Sequence, residues 1–334
     1  MTRNGNTHRI SLPDLPQSWN DIPTDKLEEV LRLMILRHTE AAITSEEEAD
    51  RLFRLRTLLC LLDLKIVRRT VSDKSGDTVF IFRRKGIRHI FERIPMRAWQ
   101  INQWIDIRLK FLDSPTGRLA TPYTYITLRN GRLKLKGPAN MMADVTFQQY
   151  LVAQNTLTSY WKALNSLEDM IKRKADRKQQ KKLMKRISAL RCRFLATMFC
   201  PSVTETGEIR EGRYMRTAKR KVWAFSMKQM DENARYFRKE EKRIFPVMEH
   251  FFQSVQEAYS RLYPDLYTSS GKGKKVTNPI VQEVSMVNSI MKEQGFTSYD
   301  AVYDSEAIRI LEIMDSMCRK AKEIEKMNQR MKKN

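Results

Sequence analysis

The chain has 334 residues, 41% of them apolar, with a formal net charge of +23 and an isoelectric point near 9.9. That is enough apolar material for two or three modest cores, and 11 glycines and 11 prolines are too few for a collagen-like or loop-dominated protein. The charge favours nucleic acid, an anionic membrane or an acidic protein as partner, and says nothing about fold.

Four cysteines (Cys60, Cys192, Cys200 and Cys318) are scattered, with no Cys-x-x-Cys pair and no histidine at zinc spacing. Buried, reduced thiols are expected, and no metal site. Met1 to Ile10 holds no apolar core of a signal peptide, and no run of 18 apolar residues follows. A soluble cytoplasmic protein that does not span a membrane is expected.

In chain order, the first predicted elements are two amphipathic helices. Thr24 is placed to cap the first, which carries Leu27, Val30, Leu31, Met34 and Ile35 at helical spacing. Asp25, Glu28 and Glu29 lie where the helix dipole favours carboxylates. The second starts behind Ser45, with Glu48 completing a capping box, and presents Leu52, Leu55, Leu58, Leu59 and Leu62. Joined through Thr39 to Thr44, the two should form an αα-hairpin. Trp19, which precedes the first helix, either staples the chain entry or docks a partner, and stapling is the favoured reading.

The apolar period then shortens. Thr78 to Phe82 and Ile87 to Phe91, joined through Arg83-Arg84-Lys85-Gly86, predict a β-hairpin. Pro95 suits the first turn of a helix carrying Trp99, Ile101, Trp104, Ile105, Leu109 and Phe111. Tyr125 to Arg129 and Arg132 to Lys136 flank Asn130-Gly131, a pair that accepts the positive φ angles of a tight hairpin turn.

Gly137-Pro138 closes this part, and Thr146 with Gln149 opens a long helical stretch. Its first stripe is Phe147, Tyr150, Leu151, Leu157, Tyr160, Trp161 and Leu164. The second is Leu183, Ile187, Leu190, Phe194, Leu195 and Met198, stopped at Pro201. Further helices are predicted from Met215 to Phe245 and from Pro246 to about Leu262. A basic linker spans Thr268 to Lys275, and a last helical module runs from Asn278, with a cap at Thr297-Ser298 and a fraying tail beyond Lys320.

The densest charge lies between Lys172 and Arg191, which holds ten Lys or Arg residues and one acid, Asp176. Such a run can neutralise phosphates, or it can be the solvated connection between two helices. The aromatic residues lie outside it at core spacing, which argues against a stacking platform for single strands. Gly271-Lys272-Gly273-Lys274-Lys275 lacks the earlier glycine and the following Ser or Thr of a phosphate-binding loop, so it reads as linker. His8, His38, His89 and His250 have no partner at metal or catalytic spacing. No catalytic residue, cofactor or metal ligand is assigned, and a non-enzymatic role is expected.

Four places resemble the tail-assembly proteins of tailed phages and prophages: Leu12 to Leu27, Ile81 to Gly86, Gly137 to Tyr150, and Lys292 to Val302 with its Gly295-Phe296 step. The resemblance implies a tail-morphogenesis protein that holds amphipathic helices of a tape-measure or tail-tube component. Trp19, Leu27, Leu31 and Met34 are its candidate partner-binding residues. Lys172, Arg173, Lys174, Arg177, Lys178, Lys181, Lys182, Lys185 and Arg186 are the candidate contacts to nucleic acid or an acidic partner. A basic nucleic-acid-binding protein of a mobile element and a structural virion component are the alternatives. The expected fold is mainly α. An α+β domain over 1–137 combines a helical hairpin with short antiparallel strands. A helical domain over 138–264, a linker over 265–278 and a helical module over 279–334 follow.

Overall fold

The computed structural model describes residues 14–71, 77–86, 93–129, 131–211, 214–268 and 279–331. These form eleven α-helices and two small antiparallel sheets, so the mainly α class with a small α+β part is correct. The chain divides into two compact units, Met1–Arg118 and Leu119–Asn334. The division falls before the hairpin at Gly131, not after it.

In the first unit, α1 (Thr24–Ala41) and α2 (Glu46–Leu61) pack as the expected hairpin. Ser45 caps α2 by accepting a bond from Glu48 N at 3.2 Å. Thr24, by contrast, is the first residue of α1 and not its cap. Pro23 occupies the cap position, and its carbonyl accepts from Leu27 N at 2.8 Å.

Trp19 is the staple. It is 2% exposed, its indole Nε1–H donates to Ser114 O at 2.8 Å, and its ring meets Phe111 edge-on. Gly117 has φ +142°, and a Cβ there would lie 3.0 Å from the indole. The buried Arg118 guanidinium donates to the Trp19 and Ile22 carbonyls.

The first sheet is β1 (Leu64–Val71), β2 (Thr78–Arg84) and β3 (Ile94–Arg97), with β2 central. The predicted partner of β2, Ile87 to Phe91, lies outside the described residues. β1 has no counterpart among the predicted elements; it pairs Leu64 with Arg84 through Val71 with Thr78 and carries a bulge between Ile66 and Arg68. Pro95 corrects a second expectation. It sits in the outer strand β3, where a missing N–H can face away from the ladder, and α3 (Ala98–Arg108) begins only afterwards.

In the second unit, β4 (Tyr125–Leu128) and β5 (Leu133–Lys136) pair as predicted, Tyr125 with Lys136 and Leu128 with Leu133. Gly137 follows because a Cβ there would sit 2.0 Å from Tyr123 O. Two long helices come next, α4 (Phe147–Lys172) and α5 (Arg177–Met198). The helix expected from Met215 is instead strand. β6 (Cys200–Glu211) and β7 (Tyr214–Trp223) form a ribbon paired from Ser202–Trp223 to Glu211–Tyr214, and only Cys200 and Pro201 reach β5.

α6 (Met227–Ala234) and α7 (Glu241–Leu262) complete the main core. Pro246 does not restart a helix; it lies in the second turn of α7. The carbonyl that loses its donor there belongs to Lys242, an exposed residue of the first turn. Aromatic rings join the layers: Phe194 meets Phe245 and Phe252 edge-on at 5.6 Å, and Tyr150 stacks on Phe252 at 5.6 Å.

Of the predicted linker, 265–268 belongs to α8 (Pro264–Thr268) and 269–278 lies outside the described residues. α9 (Pro279–Gln294), α10 (Tyr299–Tyr303) and α11 (Ala307–Met331) are packed onto the start of α4. Phe147 is buried with Val287, Ile290, Val302 and Ile310. Phe147 N donates to Ser305 O, and Ala307 N donates to Val145 O, each at 2.8 Å. Buried Asp315 accepts from Leu266 N at 2.9 Å and pairs with Arg319, which fastens α8 to α11. The tail beyond Lys320 stays helical to Met331.

Candidate nucleic-acid interface

The basic run occupies the free end of the α4–α5 hairpin. At 1.5 Å per residue the two helices are about 39 Å and 33 Å long. They are antiparallel along a seam that includes Tyr160 and Ala163 of α4 and Ile187 and Phe194 of α5. The turn between them is closed mainly by backbone, with Gln180 Nε2 donating to Ala175 O at 2.9 Å. Lys174 N donates to Ile171 O at 3.0 Å and Ala175 N to Met170 O at 2.9 Å, and Lys174 stands at φ +52° where glycine is usual. Asp176 then caps α5, accepting from Lys178 N at 3.1 Å.

Lys172, Arg173, Lys174, Arg177, Lys178, Lys181, Lys182, Lys185 and Arg186 are all exposed. Among the described residues none of the nine takes part in an ion pair. On α5, Arg177-Lys181-Lys185 and Lys178-Lys182-Arg186 form two adjacent rows at four-residue spacing. At 100° per residue they span about half of the helix circumference. The other half carries Leu183, Ile187 and Leu190 towards the core. The tip also exposes Ile171 and Met184, and its only acids are Glu168, Asp169 and Asp176. Trp161, the exposed aromatic residue of the α4–α5 pair, lies about three turns back from the end of α4.

The candidate partner-binding residues of the first unit are not brought to a surface. Trp19, Leu27 and Leu31 are 2%, 0% and 3% exposed, because the stripe of α1 is turned onto its own unit, and Met34 is only half-buried.

Groups with chemical potential elsewhere are held by their surroundings. Cys192 Sγ donates to Glu241 Oε2 at 3.3 Å, and Ser188 donates to Glu241 Oε1 at 2.8 Å. Burial pushes the Cys192 and Cys200 thiols each up to about 12, which keeps them protonated near neutrality. Burial also raises the Glu249 carboxyl to about 7, against the opposing pull of the Arg191 guanidinium. A cleft of about 1120 Å³ lies between α2, β2 and α3, and its Arg54 is engaged by Asp50 and Asp113. Among the described residues no three His, Cys, Asp or Glu side chains gather as a metal ion requires, and no helix is long and apolar enough to cross a membrane.

The chain matches no family model, no curated protein and no solved structure.

Proposed function

We propose that the protein binds nucleic acid without catalysing a reaction, using the free end of the α4–α5 hairpin to grip the phosphate backbone. The observation that carries this reading is the set of nine exposed, unpaired cations on one helical end. Cations placed this way exchange condensed counterions for phosphates, which yields affinity without base readout. The scarcity of exposed rings at the tip favours duplex over single strands. The proposed setting is the cytoplasm, where the four thiols stay reduced.

The test is a duplex-binding titration across about 0.05 to 0.3 M salt. Replacing Lys181, Lys182, Lys185 and Arg186 with glutamine should flatten the salt slope by about four and weaken binding roughly a thousandfold near 0.1 M. An unchanged slope rejects the reading.

A second reading, assembly of a phage tail, draws on the motifs at Gly137 to Tyr150 and Lys292 to Val302. With Trp19, Leu27 and Leu31 in the core, the contact with a tape-measure or tail-tube helix would fall to the uncovered end of α11. Co-expression with tail genes tests it: co-purification and loss of tails on deletion support it, and the absence of both removes it.

A further inference from the structure

Along α11, Ala307, Ile310, Met314, Met317, Ala321, Ile324, Asn328 and Met331 recur at alternating steps of three and four. That is the seam of a two-stranded coiled coil. Its first half is used inside the chain. Ala307 and Ile310 are fully buried, and Met314 and Met317 pack against the same cores. From Ala321 the seam continues without cover: Ile324 is 58% exposed and Met331 70%, and Met327 at its flank is 59% exposed.

We propose that this uncovered face of α11 pairs, parallel and in register, with the same face of a second copy of the chain. Two features select a second copy over an unrelated helix. Asn328 stands at a core position of the repeat, where an asparagine pairs with its own counterpart and fixes a two-stranded register. Lys320 and Glu325 flank the seam five residues apart. In a parallel pair, Lys320 of one copy therefore meets Glu325 of the other, in both directions. Within its own chain Lys320 also reaches Glu293, so pairing across the seam extends a charge pair already in place.

About three turns per copy bury well below the roughly 1,200 Å² of a stable pair. Association is therefore weak, with half-dimerisation on the order of 100 μM. This inference does not depend on nucleic-acid binding and is measured in its absence.

The test uses the full chain in a Cys318→Ser background. Ile324→Cys, on the seam, and Lys326→Cys, on the outer face, are oxidised over a concentration series. Ile324→Cys should form linked dimers at least about tenfold faster, because core positions juxtapose like residues in a parallel pair. Equal linking overturns the proposal, as does absence of linking at several hundred micromolar. So does faster linking of an Ala321→Cys and Met331→Cys mixture than of either alone, which marks an antiparallel or foreign register. By sedimentation, Ile324→Glu should reduce the dimer about tenfold without moving Tm. A lowered Tm with unchanged association means that the face is covered by its own chain and also overturns the proposal.

Discussion

The α1–α2 hairpin of the first unit and the α4–α5 hairpin of the second are both helix pairs with a buried apolar seam, yet they treat charge in opposite ways. In α1–α2, Arg37 bonds Asp50, Arg54 bonds Asp50 and Asp113, and Arg56 bonds Glu40. In α4–α5, nine cations crowd one end with no acid engaged. The asymmetry extends to the units: residues 1–118 hold 21 basic and 16 acidic side chains, and residues 119–334 hold 41 and 23. Paired charges help the first hairpin to hold its shape. Four like-charged pairs at four-residue spacing on α5 oppose helix formation by about 0.2–0.5 kcal/mol each. Under the proposed function, an external phosphate backbone offsets that cost.

The largest expected effect that sharpens this contrast is in the first unit. Trp19→Ala should cost about 3–5 kcal/mol in denaturant unfolding, while the salt slope for duplex binding stays unchanged. A slope that falls with it breaks the separation of roles. Next, Asp50→Ala removes the acceptor shared by Arg37 and Arg54 and should cost about 2 kcal/mol. Lys181→Ala, its counterpart in the second hairpin, should be neutral or slightly stabilising.

Glu249 tests the second unit through pH. Its folded pKa, about 7, lies above the ordinary 4.5, so the folded state binds more protons between those values. Stability should therefore fall as pH rises from about 4.5 to 7. Glu249→Gln should flatten that fall and add about 1–2 kcal/mol at pH 8, a figure discounted for partial solvent access. The smallest effect is the most discriminating. Lys174→Gly relieves a left-handed residue and should add about 0.5–1 kcal/mol, yet lower the salt slope by about one. A variant that gains stability and loses affinity together would separate the work of the tip from its folding.

The helices that begin behind Ser45, Thr146 and Ser298, and the hairpin at Gly131, were legible because a cap or a turn is written in neighbouring residues. The exposed tip was legible too, since a dense basic run cannot be buried. The role of Trp19 depended on Ser114, 95 residues away, which no local pattern reveals. The β6–β7 ribbon was missed because Thr204 to Arg210 has little apolar alternation, while the methionines and aromatics after Met215 mimic a helical stripe. By local pattern Pro95 and Pro246 both read as helix starts. One is tolerated on an outer strand and the other in a helix where the carbonyl left without a donor belongs to exposed Lys242, and both are decided by tertiary surroundings.

The clasp between Phe147 and Ser305 joins residues about 160 positions apart and shields an aromatic ring at the head of α4. During synthesis that ring leaves the ribosome long before Val287, Ile290 and Ile310 exist to cover it. Chains ending before residue 279 lack that cover and should be sticky and prone to aggregate.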